Sequence, residues 1–588
     1  MTLHQGNSLL ATRRRRLIFL AVLLTVSLSS CFAQASKGAD SSVAQFLDVA
    51  GKAGLTMRNV FGGVDTKKYI IETTGTGVAI FDYDNDGWPD IFFVNGTTLE
   101  DMKTGKNGPT NHLYHNNHDG TFTDVTEKAG LLDATGWGQG VCAGDYDNDG
   151  WQDLYVTYYG ANRLYHNEHG VFKLISEKAG VKGNGKEWGA GCAFVDYDRD
   201  GHLDLFVANY VDFDVTTAPA PGDRPSCMWK GAPVMCGPRG LPRHKNILYH
   251  NRGDGTFEDV SAKSGIEKTN GHYGLGVSTL DYDNDGWPDI YVACDSTPSI
   301  LYHNNRDGTF TDVAVFAGAA FNEDGREQGG MGTTVGDFDG DGRLDIFKTN
   351  FSDDTSTLYH NNGDGTFSDV TTAAGLGLYT KYLGWGTMFF DFDNDSWPDL
   401  MLVNGHVYPE VDKFHLGSNY QEPRILYRNN GDATFTDVSE KAGTGITTMA
   451  SSRGLAVGDL WNTGQMSAVV SNMNERPSLL RNQQEYPNHW IAFKTVGTKS
   501  NRDGIGARIT VKAGKRLLVD EVRSGSSYYS QNDMRVHFGL GGATKLDSVE
   551  VRWPSGLTER FENAAVDQID TVKEGSGVAV KNEPPGKR

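Results

Sequence analysis

Six short loops dominate the chemistry open to this chain. Each places aspartate at positions 1, 3, 5 and 9 of a nine-residue stretch. The sets are Asp82, Asp84, Asp86 and Asp90; Asp145, Asp147, Asp149 and Asp153; Asp196, Asp198, Asp200 and Asp204; Asp281, Asp283, Asp285 and Asp289; Asp337, Asp339, Asp341 and Asp345; and Asp391, Asp393, Asp395 and Asp399. A hard dication takes about six to eight oxygens at flexible distances, so four carboxylates plus a backbone carbonyl at position 7 can wrap one Ca2+. Glycine at position 6 permits the sharp turn, except in the sixth loop, where Ser396 stands. Mg2+ fits less well, because it demands strict octahedral geometry and keeps its water. An EF-hand begins identically but needs a bidentate acid at position 12, where these loops carry Phe93, Val156, Val207, Val292, Lys348 and Leu402. Metal-free Asx turns use the same residues. Against them, four unpaired carboxylates so close together repel strongly. About six structural Ca2+ are therefore expected. The sixth site is the least favoured because of Ser396, and a seventh loop, Asp459-Leu-Trp-Asn-Thr-Gly464, keeps only its first ligand and is predicted empty.

The acid sets the charge balance. The chain of 588 residues carries 75 acidic against 54 basic side chains, a formal net charge of -21, of which six dications would offset more than half. No cluster of Lys and Arg follows the N-terminus, which excludes a phosphate-tracking nucleic-acid surface. With 73 glycines against 18 prolines, the composition points to tight turns between short strands.

The loops sit inside a repeat. A glycine precedes an aspartate by five residues at Gly77, Gly140, Gly191, Gly276, Gly332, Gly386 and Gly454. After each loop comes a strand-length run, from DIFFVN at 90 to SAVVSN at 467, then an LYHN-type segment, then an FTDV-type segment. This last segment follows only six units. Its seventh copy is FLDV, from Phe46 to Val49, ahead of the first unit. Lending that strand to the last blade closes a ring, whereas a straight solenoid would need end caps. Residues 46–483 are read as a seven-bladed β-propeller.

These loops, with their FTDV and LYHN companions, resemble the FG-GAP/VCBS repeats of integrin α-subunit propellers. That resemblance implies structural calcium in the loops between strands 1 and 2. From Asn488 the Asp loops give way to alternating strands. The segments Asp503-Gly-Ile-Gly-Ala-Arg508, Ser524-Gly-Ser-Ser-Tyr-Tyr-Ser-Gln531, His537-Phe-Gly-Leu-Gly541 and Val549-Glu-Val-Arg-Trp-Pro-Ser-Gly556 resemble the ASPIC/UnbV domain of the cartilage acidic protein-like family. The fold class expected is all-β: the propeller, then a small β-sandwich over 488–574 and a disordered tail over 575–588. Ser526, His537 and Asp503 invite a hydrolytic triad, but no nucleophile elbow surrounds the serine, so no catalytic residue is assigned.

Arg13 to Arg16, the apolar run from Leu17 to Val26 and the small residues beyond have the layout of a signal peptide over 1–35, too short to span a membrane. The chain is expected to be exported: periplasmic, cell-surface or secreted. Cleavage reads two ways, after Ala33-Gln34-Ala35 or at a lipobox, Leu28-Ser29-Ser30-Cys31, whose Cys31 would carry the only membrane anchor. Cys227 and Cys236 share one Pro/Gly-rich insertion and are a candidate disulfide. Cys142, Cys192 and Cys294 fall in apolar strand patterns and read as buried, inert thiols.

In an up-and-down blade the Asp loops lie on one face and the strand 2–3 connections on the other. The long insertions, 96–111, 210–246 and 405–424, all fall on that second face. Trp137, Gln139, Glu187, Trp188, Trp229, Arg239, Tyr273 and Trp385 are candidates for a sugar- or protein-binding surface near the central channel, and the aromatics serve as well for packing between blades. The LYHN histidines at 115, 166, 250, 303 and 360 recur once per unit and read as structural hydrogen-bonding groups. The expected function is an adhesion-like, calcium-binding propeller for an extracellular protein or glycan. The alternatives are a polysaccharide lyase or hydrolase on a propeller scaffold and a structural module in a surface assembly.

Overall fold

Short β-branched runs bounded by Gly and Asp turns pair with their sequence neighbours. The computed structural model describes residues 43–106, 108–132, 135–269, 271–562 and 564–580. The segment read as a signal peptide, both cleavage alternatives with Cys31, and residues 581–588 lie outside them. Residues 46–482 form seven four-stranded antiparallel sheets. Sheets 1 to 7 open with Val78–Phe81, Trp137–Gly144, Gly189–Val195, Gly274–Leu280, Thr333–Gly336, Gly384–Phe390 and Ser452–Gly458. These first strands lie side by side in that order, and the last returns to the first, so they line a closed axis. Sheet 7 takes its fourth strand from Phe46–Asp48, with Phe46 opposite Asn482 and Asp48 opposite Leu480. The chain is a β-propeller followed by a β domain.

The repeated glycine has a steric cause. Where first strands crowd the axis, a Cβ on Gly140 would stand 2.6 Å from the Ala190 carbonyl oxygen, and one on Gly77 would run into the Tyr529 carbonyl. Apolar clusters seal the seams between sheets; Phe81, Phe92 and Leu113 of sheet 1 meet Val141, Leu154 and Phe172 of sheet 2.

The C-terminal domain has two sheets. In the smaller, His489–Val496 lies between antiparallel Val536–Gly541 and parallel Gln568–Lys573. The larger orders Arg516–Glu521, Arg508–Ala513, Ser548–Arg552, Thr558–Phe561 and Val578–Ala579. Ile491, Phe493, Ile509, Val511, Val549, Val551 and Trp553 share one core. The disordered tail expected from 575 is corrected at its start, because Val578–Ala579 pairs with Glu559 and Arg560 as a fifth strand. Glu574 fastens that end, accepting N–H groups of Thr498, Lys499 and Ser500 at 2.8, 2.7 and 2.9 Å.

The cysteines need a second correction. Cys142 and Cys192 are joined as a disulfide, because the first strands of sheets 2 and 3 run side by side and bring positions 50 apart in sequence to a Cα–Cα distance of 5.8 Å. Cys227 and Cys236 also form a disulfide, and Cys294 is buried and free.

Candidate functional site

One hydrogen-bond scheme closes the Asp loops. In loop 1 the N–H groups of Asp86 and Gly87 donate to Asp82 at 3.1 Å each, and that of Trp88 donates to Asp86 at 2.8 Å. Asp90 is fully buried and accepts the N–H groups of Tyr83 at 3.2 Å and Asn116 at 2.8 Å. Loops 2 and 4 repeat all five bonds through Asp145, Asp149 and Asp153 and through Asp281, Asp285 and Asp289. These bonds aim carboxylates at a common point: oxygens of Asp82, Asp84 and Asp86 lie within 4.8 Å of one another. The LYHN asparagine ties each loop to a neighbouring sheet, as where the Asn167 amide donates to Gln152 at 3.0 Å and across to Tyr83 at 2.8 Å. Ser396 adopts φ 75, the conformation its glycine counterparts take, at a cost of about 1 kcal/mol.

The LYHN histidine stands inside each of the first five loops. His166 Nδ1 lies 3.4 Å from Asp147 and 3.1 Å from Asp153, and His250 Nδ1 lies 3.4 Å from Asp198 and 3.0 Å from Asp204. His115, His303 and His360 repeat the arrangement. The sequence signal for this was register: Leu154 pairs with Tyr165, which sets Asp153 beside His166. Hydrogen bonds to Asp153 and Asp204 push His166 and His250 up to about 9.

Burial pushes Asp90, Asp153, Asp196, Asp289 and Asp337 up to about 7. Burial, then the charge of Asp503, pushes Asp145 to about 9. Carboxyls packed in this way ionise reluctantly, and a cation placed among them would favour the charged form. The Oδ1 atoms of Asp84, Asp196, Asp198 and Asp393 are buried without a hydrogen-bond partner. Carboxylates with at most one imidazole per loop fit a hard dication such as Ca2+.

Loops 6 and 7 depart from this plan. In loop 6 Arg428 replaces the histidine and donates to Asp393 at 2.9 Å and Asp395 at 2.7 Å. In loop 7 Asp459 stands without the other carboxylates, its oxygens taken by the N–H groups of Trp461 at 3.2 Å and Gly464 at 2.6 Å.

The C-terminal domain sits on the Asp loops. Asp503 accepts the Asp145 N–H at 2.8 Å, Arg502 donates to Asn148 at 2.7 Å, Arg508 donates to the Gly342 carbonyl at 2.7 Å, and Arg552 pairs with Asp281. Its segment 524–532 enters the propeller axis. There Ser524 Oγ donates to Ala143 at 2.6 Å, the N–H groups of Ser527 and Gln531 donate to Thr333 at 2.7 Å and Val78 at 3.0 Å, and Asn532 accepts the Val457 N–H at 2.8 Å. Tyr528 and Tyr529 are buried inside it. Periodicity could not announce this plug, which occurs once; its signal was the run of small and Tyr residues already singled out at 524–531.

The plug relocates the ligand-face candidates. Trp137, Trp188, Tyr273 and Trp385 are buried in one aromatic cluster with Tyr528 and Tyr529. Phe213 and Tyr408 of the insertions close over the same cluster. Buried Gln139 accepts from Thr74 at 2.9 Å, and buried Glu187 accepts the Asn184 N–H at 2.6 Å. These six are core residues, not an exposed surface. Trp229 is half-buried against Phe351, and Arg239 is exposed, 4.0 Å from Glu327. Ser526, His537 and Asp503 have separate partners: Ser526 pairs with Ser530 inside the axis, His537 stacks on Trp490, and Asp503 meets loop 2.

The FG-GAP-like repeat family matches residues 82–156, 145–207, 239–292, 281–348 and 349–402, and the family described as ASPIC and UnbV matches 497–579. Cartilage acidic protein 1 of Xenopus tropicalis is 26% identical over 513 residues, covering 82% of this chain and 70% of the relative. The Homo sapiens protein of that name is 26% identical over 529 residues, covering 85% and 71%. Among solved structures, an Agrocybe aegerita lectin that recognises non-reducing terminal N-acetylglucosamine is 17% identical, covers 64% of this chain and 85% of its own, and has a TM-score of 0.35.

Proposed function

We propose, for a chain that belongs to the FG-GAP repeat proteins ending in an ASPIC/UnbV domain, an exported calcium-binding β-propeller that serves as an adhesion-like module for an extracellular protein or glycan and not as an enzyme. The observation that carries this reading is the convergence of carboxylates in loops of one design, with buried oxygens of Asp84, Asp196, Asp198 and Asp393 left without a hydrogen-bond partner. Bound Ca2+ would supply the positive charge those oxygens lack. The aspartates at positions 1, 3, 5 and 9 would hold it, the LYHN asparagines join each loop to its neighbour, and Arg502, Arg508 and Arg552 fasten the C-terminal domain onto the loop face. With the axis filled by 524–532, the insertions at the other end offer the docking surface. Trp229 and Arg239 lie there, with Met228 and Phe414 exposed at 41% and 43%.

Export is supported by the signal-peptide layout and by two disulfides, which persist in oxidising compartments. No helix among the described residues is long and apolar enough to cross a membrane. Metal analysis after gel filtration tests the calcium reading, with about five to six ions expected per chain. EDTA should lower the melting temperature by on the order of 10 °C. Protein without bound calcium and with an unmoved melting temperature ends this reading. Glycan arrays and pull-downs with Trp229→Ala and Arg239→Ala then test the docking face, where unchanged capture by both variants rules it out.

A further inference from the structure

A cavity of about 120 Å3 lies between the first strands of sheets 5, 6 and 7 and the strands Arg516–Glu521 and Val536–Gly541 of the C-terminal domain. It has room for about four waters or one group the size of acetate or phosphate. Val335, Met388, Phe389, Val457, Leu518 and Phe538 supply apolar wall. Neither domain alone encloses it.

The polar wall is unbalanced in one direction. All its carboxylates have donors. Asp520 accepts from Arg523 Nη1 at 2.6 Å, Glu521 from Arg508 at 3.1 Å and from the Asp281 N–H at 3.3 Å, and Asp533 from Arg535 Nε at 3.0 Å. Asp337 and Asp391 accept N–H groups of their own loops, Asp341 and Asp395, at 3.0 Å each. The donors fare differently. Arg516 Nε, Arg523 Nη2 and His537 Nε2 are buried and have no hydrogen-bond partner. The Glu521 carboxylate stands 3.9 Å from Arg523 Nη2, beyond hydrogen-bond reach. A guanidinium N–H can only donate, so two of these three atoms require an acceptor that the chain does not provide. Buried donors left in this state are met in native proteins by water or by a ligand, and here three of them line one cavity.

We propose that this interdomain cavity binds a small oxyanion, a carboxylate or a phosphate, through Arg516, Arg523 and His537. Planar guanidinium forks match such groups bidentately. Because its walls come from both domains, an occupied site also pins the C-terminal domain to sheets 5–7. The inference does not rest on the calcium reading, and its test keeps calcium constant.

Isothermal titration of the purified, calcium-loaded chain after gel filtration into buffer without free calcium, with inorganic phosphate in one arm, sodium acetate in another and sodium chloride as control, and with bound calcium measured before and after, decides the matter. One of the first two should bind at one equivalent per chain and raise the melting temperature, and the arm that responds identifies the source. Arg523→Gln should weaken binding at least tenfold. Because Arg523 also contacts Asp520 and the Thr279 carbonyl, His537→Phe is the second variant. It keeps the stack on Trp490, whose ring centroid lies 6.0 Å away, and should weaken binding several-fold while leaving the anion-free melting temperature in place. Absence of stoichiometric binding by both anions, or binding that His537→Phe and Arg523→Gln leave unchanged, overturns the proposal and leaves the cavity to water.

Discussion

Loops 1 to 5 and loop 6 come from one repeat, yet they meet their own charge differently. In the first five a histidine on the third strand leans on the carboxylates at positions 3 and 9. In loop 6 Arg428 spans Asp393 and Asp395. Loop 7 has gone further: only Asp459 remains, and Arg535 donates to its carbonyl at 2.8 Å. What differs between the copies is the source of positive charge beside the same tight turn. Loops 4 and 5 also carry guanidiniums, Arg552 on Asp281, Arg306 on Asp285 and Arg343 on Asp341, so the contrast with loop 6 is sharpest for loops 1 to 3, where on the calcium reading four carboxylates and an imidazole leave the positive charge to an outside cation.

The largest expected effect is that of removing the calcium proposed for the loops. In metal-free protein, burial holds protons on Asp90, Asp196, Asp289 and Asp337 up to about pH 7. The unfolded chain releases them near about 3.9. Between those values the folded state binds more protons, so stability falls as pH rises. One such shift is worth about 4 kcal/mol. We predict that EDTA-treated protein loses at least about 4 kcal/mol between pH 4 and 7 in urea titrations, and that saturating calcium flattens the curve. A flat curve in EDTA would break the comparison, since the carboxylates would then have found their charge inside the chain.

A single-loop test comes next. Asp153→Asn keeps the shape but removes a charge from loop 2, where Asp153 is fully buried. It should remove one bound ion and cost about 3 kcal/mol of calcium-dependent stability, the linkage expected of a site held near a hundredfold above its Kd. Asp459→Asn in loop 7 should leave the ion count unchanged. Equal losses from both variants would mean that loop 7 binds metal and that the carboxylate count does not set occupancy.

Much of this contrast was readable from the residues. The glycine-to-aspartate spacing, the loops and the displaced FLDV strand each depend on local or repeated pattern, and the pairing of Phe46–Asp48 with Ser478–Asn482 follows that pattern. Single-copy, long-range contacts were not readable. The Cys142–Cys192 bridge depends on which first strands are neighbours, and the plug at 524–532 depends on how a separate domain docks. Trp137, Trp188 and Trp385 were misplaced for the same reason. Their spacing put them at the channel mouth, but Tyr528 and the insertions that bury them arrive from elsewhere in the chain.

The smallest and sharpest effect concerns Arg428. Its guanidinium lies against Asp393 and Asp395, the carboxylates that a dication in loop 6 would use at positions 3 and 5. Calcium entering there must displace or repel a fixed positive charge, whereas in loop 2 it meets His166, which can give up its proton. Arg428→His should therefore convert loop 6 to the design of the first five and tighten its calcium binding by about tenfold, or about 1.4 kcal/mol. Calcium titration at limiting concentration reads this as one extra ion filled in the early phase. Ser396→Gly, which relieves the left-handed serine but leaves the guanidinium in place, should gain less. If Ser396→Gly gains more than Arg428→His, backbone strain and not the built-in cation is what sets loop 6 apart.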